Sequence, residues 1–391
     1  MLKRLKPYKN VSPMETVNRI RQILFDLDVF VIETSQKIEP LTGVCSCRII
    51  LGDSGLRGLN IGSNGKGMDA RYALASAYAE FMERLQNGAT LWKIIGLPQM
   101  LPKERMVDKN AYREIALKIF KITYGDGDYT AIVDRLVEQI QRYNVIEFSE
   151  YKTGEKLLFP VDLLNRMTGS NGMAAGNTML EAIIQGMSEI FERQVIQEVF
   201  LHKTTLPTID DAYFNGTDVL NRLKRLNKKG IKYRILDCSI NKGFPVIGFL
   251  LEKNGKYHIH FGADPSPITA LERCLTETFQ GRDIDEIPLY PPLKEDSDEK
   301  ELFRNEVKQY TDSTGQVPEW LLVGSERKFE GFIHETTLSD EKDMEYYLQL
   351  LSDLGYKLYV CDMGVLGFPA VRLFVPGITE NHCPTPESTI K

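Results

Sequence analysis

Two stretches of this chain are versions of one another. Residues 62–84 read GSNGKGMDARYALASAYAEFMER, and residues 169–193 read GSNGMAAGNTMLEAIIQGMSEIFER. Both open on GSNG. Both close on Glu, two apolar residues, Glu and Arg, and they differ by two residues in the loop. A third stretch, TALERCLTETFQGR from Thr269 to Arg282, is a partial echo that ends in E-x-x-Q and follows a strand-like YHIHFGA. Two full copies of a glycine loop leading into a helix indicate an internal pseudo-repeat; a solenoid needs more copies.

A glycine loop with a lysine ahead of a helix points to phosphate, because backbone N–H groups at a helix N-terminus attract anions. GSNGKG is not a P-loop. That motif needs a glycine five residues before its Gly-Lys pair and a Ser or Thr after the lysine. Here Asn60 and Gly67 stand at those positions. The preceding GLRGLNI is a plausible strand end without the long apolar run of a buried parallel strand. Any magnesium ligands must come from elsewhere.

The helices offer them. In the first, Ser76, Glu80 and Glu83 share a face at i, i+4 and i+7 on an otherwise apolar helix. In the second, Glu181, Gln185, Glu189 and Glu192 form one line opposite Leu180, Ile183, Ile184, Met187, Ile190 and Phe191. In the third, Arg273, Glu277 and Gln280 do the same. Taken singly, each line reads as a solvated face with salt bridges, since like charges on a helix repel by only about 0.2–0.5 kcal/mol per pair. The repetition argues for a shared task. Carboxylates from several helices suit magnesium, which takes few protein oxygens and completes its shell with phosphate. Lys66 and the neighbouring arginines would then balance phosphate charge.

Composition narrows the class. The chain has 391 residues, 42% hydrophobic and 26% charged, as in an ordinary globular protein. A net charge of −6 argues against a general nucleic-acid binder, which presents a basic face. No apolar run reaches the roughly 18 residues of a membrane span, and no apolar segment follows the basic N-terminus, so a cytoplasmic protein that does not bind membranes is expected. The six cysteines include one close pair, Cys45 and Cys47, in GVCSCRII. They read as buried thiols of a strand better than as a metal or sulfur-handling site. His258 and His260 alternate in YHIHF and read as structural.

The pattern Ser76, Glu80, Glu83, Arg84, then SNGMAAGNT followed by SEIFER, then ALERCLTETFQGR, resembles the YcaO family. FGADPSP ahead of the third helix and CDMGVLGFPAVRLFVPGITE near the end extend the likeness over most of the chain. It is nearest to the enterobacterial type, whose members continue into a helical C-terminal region beyond the point where this chain stops. The resemblance implies one mixed α/β YcaO-type domain over residues 1–391, its loop–helix pseudo-repeat placing acidic helices around an ATP site that is not a P-loop. Residues 1–60 would form an N-terminal helix and strands reaching the nucleotide, 61–290 the ATP- and Mg2+-binding core, and 291–391 its C-terminal part. It also implies activation of a peptide backbone amide. A substrate side chain or external sulfide adds to the amide carbon, ATP phosphorylates the oxygen, and phosphate leaves with it, giving an azoline or a thioamide. Such chemistry needs positioning and charge neutralisation rather than a protein nucleophile.

Carried over by motif, Glu80, Glu83, Glu181, Glu189, Glu192 and Glu277 would hold Mg2+. Ser76, Arg84, Ser170, Asn177, Arg193, Arg273 and Gln280 would line the ATP with Lys66. KPYKNVSPMETV resembles the segment that reaches the nucleotide, which adds Lys9 and Thr16. The family further implies a peptide or protein substrate, a leader-binding E1-like or TfuA-like partner, and a homodimer. The tail HCPTPESTIK has Pro384 and Pro386 but lacks the P-x-P-x-P of many cyclodehydratases, which leaves room for thioamidation. The alternative function is that of a nucleotide-binding accessory factor for methylthiolation of a small-subunit ribosomal protein.

Elsewhere the sequence predicts helices at residues 13–28, 217–230 and 341–355. Strands are expected at IKYRILDCSI, KLYVCDM and AVRLFVP, and a hairpin around Lys253-Asn254-Gly255. The Pro-rich, acidic EIPLYPPLKEDSDEKE reads as a surface loop.

Overall fold

The computed structural model describes residues 9–52, 60–88, 103–312, 315–332, 339–380 and 385–390. Cys383, Pro384 and all of GLRGLNI except its last two residues lie outside them. The chain begins α1 (Pro13–Asp26), β1 (Val31–Ile38), β2 (Cys45–Leu51), β3 (Gly62–Gly67), α2 (Ala70–Gln86), β4 (Glu104–Met106), α3 (Lys109–Tyr124) and α4 (Thr130–Gln139). It continues β5 (Asn144–Glu150), β6 (Lys156–Pro160), α5 (Val161–Thr168), β7 (Met173–Ala175), α6 (Met179–Leu201), β8 (Thr208–Ile209), α7 (Asp218–Leu226) and β9 (Lys232–Asp237). It closes β10 (Val246–Lys253), β11 (Lys256–Ala263), α8 (Pro267–Thr278), α9 (Glu299–Asp312), α10 (Glu319–Leu322), α11 (Asp340–Asp353), β12 (Tyr359–Asp362) and β13 (Ala370–Phe374). Among the described residues no helix is long and apolar enough to cross a membrane.

Local chemistry sets these elements. The Ser12 hydroxyl accepts the Glu15 N–H at 3.3 Å, Pro13 opens α1, and Val17, Ile20 and Leu24 are its buried face. Thr217 caps α7 in the same way, and the chain leaves through a short 3-10 turn to Gly230 at φ 70°. The β10–β11 hairpin turns on Asn254 (φ 54°) and Gly255 (φ 70°) with Lys253 opposite Lys256, a two-residue turn with both central φ values positive. The helices and strands expected from the sequence in these regions are all present.

The chain divides into two compact units. One comprises Met1–Glu80 and Phe191–Tyr346, the other Phe81–Ile190 and Tyr347–Lys391. The boundaries fall within α2, α6 and α11. The first unit holds two antiparallel sheets, β1-β2-β3 and β11-β10-β9-β8. Its apolar core gathers Leu220 and Leu223 of α7, Leu271 and Leu275 of α8, and Ile235 and Phe249 of the second sheet. The second unit holds the sheet β4-β5-β12-β13-β7, with β6 also paired to β5. Phe159 there lies between Phe148 and Phe374, with ring centroids 5.9 and 4.7 Å away.

One expectation is corrected. GSNGKG is a strand, not a loop: as β3 it pairs antiparallel with β2, from Gly62 opposite Ile50 to Gly67 opposite Cys45. The second GSNG is a turn, with Gly169 (φ 54°) ending α5 and Gly172 at φ 83°. The same four residues thus take two conformations. In the first copy the glycines answer a need for closeness rather than for positive φ, because a Cβ at Gly62 would stand 2.0 Å from the Ile49 carbonyl oxygen.

Candidate active site

The repeat is structural as well as sequential. A Cβ at Gly65 on β3 would meet the Ala73 carbonyl oxygen at 1.9 Å and the Ala77 nitrogen at 2.5 Å. A Cβ at Gly262 on β11 would meet the Ala270 oxygen at 2.5 Å and the Cys274 nitrogen at 2.9 Å. In both cases the partners lie eight and twelve residues downstream of the glycine. Gly67 and Gly176 form a second matching pair, each bringing a Cβ within 2.7 Å of the backbone nitrogen six residues on, at Ala73 and Ala182. Strand and helix therefore touch backbone to backbone in the first and third copies, and in the second the close contact is made by Gly176, just past β7 (Met173–Ala175), against the first turn of α6.

That registration fixes which face of each helix is shielded. On α2, Ala73, Ala77, Phe81, Met82 and Leu85 are buried, whereas Ser76, Glu80, Glu83 and Arg84 are half-buried. On α6, Gln185, Glu189, Glu192 and Arg193 are half-buried between fully buried Ile183, Met187, Ile190 and Val195. On α8, Arg273 and Glu277 repeat the pattern beside Leu271, Cys274 and Leu275, whereas Gln280, expected on the same helix, lies half-buried in the turn just beyond its end at Thr278. A freely solvated face would be exposed; these lines are partly screened, and charged groups held there need partners.

In the first unit the lysine of β3 supplies one. Lys66 Nζ forms an ion pair with Glu277 Oε1 on α8. Four residues earlier on α8, Arg273 Nη2 lies 3.0 Å from Asp264 Oδ2. Asp264 is 4% exposed and its other oxygen accepts the Ser266 N–H at 3.0 Å. Burial pushes its carboxyl up, opposed by Arg273 and by Lys9, which stands close enough to act on it. Glu192 approaches α8 as well, adding to the burial that keeps the Cys274 thiol protonated. Thr16 is buried in α1 and its hydroxyl donates to the Ser12 carbonyl at 3.4 Å.

In the second unit Glu181 is 4% exposed, and its two oxygens accept from Asn177 Nδ2 at 3.1 and 3.3 Å. Its own N–H donates to the Thr178 hydroxyl, which anchors the first turn of α6. Arg84 Nε is 3.6 Å from Glu83 Oε1. Ser170 is half-buried in the turn before β7, where its carbonyl accepts the Met173 N–H.

Among the described residues no three carboxylate, imidazole or thiolate groups are gathered into a ready cage for a metal. The donor chemistry nonetheless suits Mg2+ carried on a nucleotide. All the candidate ligands are hard oxygens. Glu277 is held by a lysine and Glu181 by an amide, partners that phosphate and metal can take over.

Two carboxyls near this site were not singled out from the sequence. Asp264 stands in FGADPSP. Asp343 of α11 is 2% exposed, and burial, with Asp264 and Asp340 adding their charge, pushes its carboxyl up to about 8. A signal existed for Asp343, because it shares the apolar line of its helix with Tyr347 and Leu350. The cysteine reading holds: Cys45, Cys47, Cys238, Cys274 and Cys361 are free and buried. Burial pushes the Cys47 thiol up to about 11, so it is unreactive at neutral pH.

A family model described as YcaO cyclodehydratase, ATP- and Mg2+-binding, matches residues 64–379. The chain belongs to the YcaO family. The ribosomal protein S12 methylthiotransferase accessory factor YcaO of Escherichia coli is 27% identical over 393 aligned residues, covering 96% of this chain. This chain spans about two thirds (66%) of that relative's length. The solved structure of YcaO from Methanopyrus kandleri bound with AMPPCP and Mg2+ superposes with a TM-score of 0.62 at 20% identity, covering 95% of this chain and 93% of that one. A heterocyclase in complex with substrate and cofactor gives 0.65 at 19% identity, covering 95% of this chain and 53% of the other. The mixed α/β YcaO fold read from the sequence is thus the fold present, and ATP and Mg2+ are the YcaO cofactors.

Proposed function

We propose that this YcaO protein spends ATP, with Mg2+, to activate a backbone amide of a peptide, giving an azoline or a thioamide. The observation that carries the reading is the threefold half-buried polar line, set each time behind a close glycine contact with the backbone of the following helix. The glutamates of the three lines would bind Mg2+. Lys66, Arg273, Arg84 and Arg193 would balance the phosphates, with Lys9, Thr16, Ser76, Ser170, Asn177 and Gln280 around them. Bound ATP supplies the phosphoryl group that makes the amide oxygen a leaving group, released as phosphate. The chain's part is to orient phosphate and amide and to exclude water, and no side chain need form a covalent bond. A leader-binding partner of E1-like or TfuA-like type and a homodimer belong to the same reading. The test is release of ADP and phosphate with Mg2+ and candidate peptides. Glu80→Gln and Glu189→Gln should abolish it with the circular dichroism spectrum unchanged, and near wild-type turnover in either would refute the assignment.

The Escherichia coli relative supports a second reading, a nucleotide-binding accessory factor for ribosomal protein methylthiolation. Calorimetric ATP binding without turnover, alone or with peptides, would favour it.

A further inference from the structure

A basic patch stands on α7 and on the 3-10 turn that ends it (Asn227–Lys229). Val219, Leu220, Leu223 and Leu226 form the buried face of the helix, whereas Lys224, Arg225, Lys228 and Lys229 are exposed. Among the described residues none of these four cations belongs to an ion pair. Nearby carboxylates are engaged: Asp218 holds Arg222 at 2.8 Å, Glu252 holds Lys232 at 3.3 Å, and Asp211 accepts the Tyr233 hydroxyl at 2.7 Å. A helix C-terminus favours a cation in its last turn. Here Lys224 and Lys228, and Arg225 and Lys229, stand four residues apart and repel one another. A chain of net charge −6 thus keeps four cations crowded at one place.

The helix that carries the patch is fastened beside the first copy of the repeat. Arg222 donates from Nη1 to the Thr42 and Gly43 carbonyls at 3.0 and 2.9 Å, and from Nη2 to the Met68 carbonyl at 3.0 Å. Met68 follows β3 directly, two residues after Lys66. Arg225 and Lys229 lie three and seven residues beyond Arg222, on the same side of the helix. We propose that Lys224, Arg225, Lys228 and Lys229 form a docking surface for an acidic tract of the polypeptide substrate, which holds that chain beside β3 while an amide elsewhere in it is activated. The inference rests on the reading that the substrate is a peptide. Residues one helical turn apart are about 6 Å apart along the axis, close to the roughly 6.6 Å between alternate side chains of an extended peptide. Carboxylates at every second position of a peptide therefore meet both cation pairs. Nucleic acid fits less well. Residues 218–232 contain no aromatic side chain on which a base could stack, and a long polyanion would run on over a surface that is acidic overall, whereas a short tract stays within the roughly 8 Å reach of the patch.

The test is fluorescence anisotropy with fluorescein-labelled hexaglutamate, hexalysine and hexauridylate, each titrated with the full chain. Hexaglutamate should bind, hexalysine should not, and added salt should weaken the complex as it screens the charges. The double variant Lys224→Glu with Lys228→Glu should weaken hexaglutamate about tenfold or more and leave the calorimetric affinity for MgATP unchanged, which also certifies the fold. The matching reversal on α9, Lys300→Glu with Lys308→Glu, should have no such effect. Absence of hexaglutamate binding, wild-type affinity in the α7 variant, or an equal loss in the α9 variant would overturn the docking surface. Tighter binding of hexauridylate than of hexaglutamate would overturn it in favour of a nucleic-acid partner. None of these measurements needs turnover, so failure of the amide chemistry, seen as no ADP released with any peptide, is read separately.

Discussion

Lys66 and Glu277, 211 residues apart in sequence, form an ion pair that joins β3 to α8. Each side chain is about one-third exposed, so the pair adds at most about 1 kcal/mol to stability. Under the proposed function its value lies in holding side by side a lysine for phosphate and a carboxylate for Mg2+. Replacement of Lys66 by Met should lower ATP affinity at least tenfold in calorimetry and move the thermal midpoint by no more than about 4 °C. A large loss of stability with ATP affinity retained would make the pair structural only.

The glycine contacts should behave as a matched set. Gly65→Ala and Gly262→Ala each force a methyl group against backbone atoms of the following helix. Backbone yields poorly, and each variant should lose about 2 kcal/mol or more in urea unfolding. Gly154→Ala places its methyl in open space and carries only the strain of φ 73°. It should cost about 1 kcal/mol. Equal losses at all three positions would contradict the close-approach account.

Asp343 predicts a pH dependence. Its folded-state carboxyl is raised to about 8 from the ordinary 3.8, so the folded protein binds a proton that the unfolded chain releases near pH 4. Stability from this group is therefore present at acid pH and is lost as pH climbs from about 4 through 8. Asp343→Asn should flatten that slope and raise stability at pH 8 by on the order of 1 kcal/mol or more, with little effect at pH 4. A variant less stable than wild type at pH 8 would show that the charged carboxylate is the form the fold uses.

The repeat, the three polar lines and the hairpin at Asn254-Gly255 were legible because each has a period or a turn chemistry of its own. GSNGKG was misread because glycine signals both positive φ and close approach, and only the paired helix backbone decides between them. Asp264 was hidden for a related reason: its burial and its bond to Arg273 come from the fold around FGADPSP, not from its neighbours in sequence. The division into two units, cutting through α2 and α6, has no counterpart in composition, because apolar periodicity runs unbroken along both helices.

The central claim is that carboxylates from α2, α6 and α8 bind the metal of a nucleotide. A crystal structure of this protein with a non-hydrolysable ATP analogue and Mg2+ tests it most directly. The account predicts Glu80, Glu189 or Glu192, and Glu277 oxygens about 2.1 Å from Mg2+ or bonded to its waters, with Lys66 moved from Glu277 onto phosphate. Magnesium and nucleotide bound away from all three helices, with Lys66 still paired to Glu277, would contradict it.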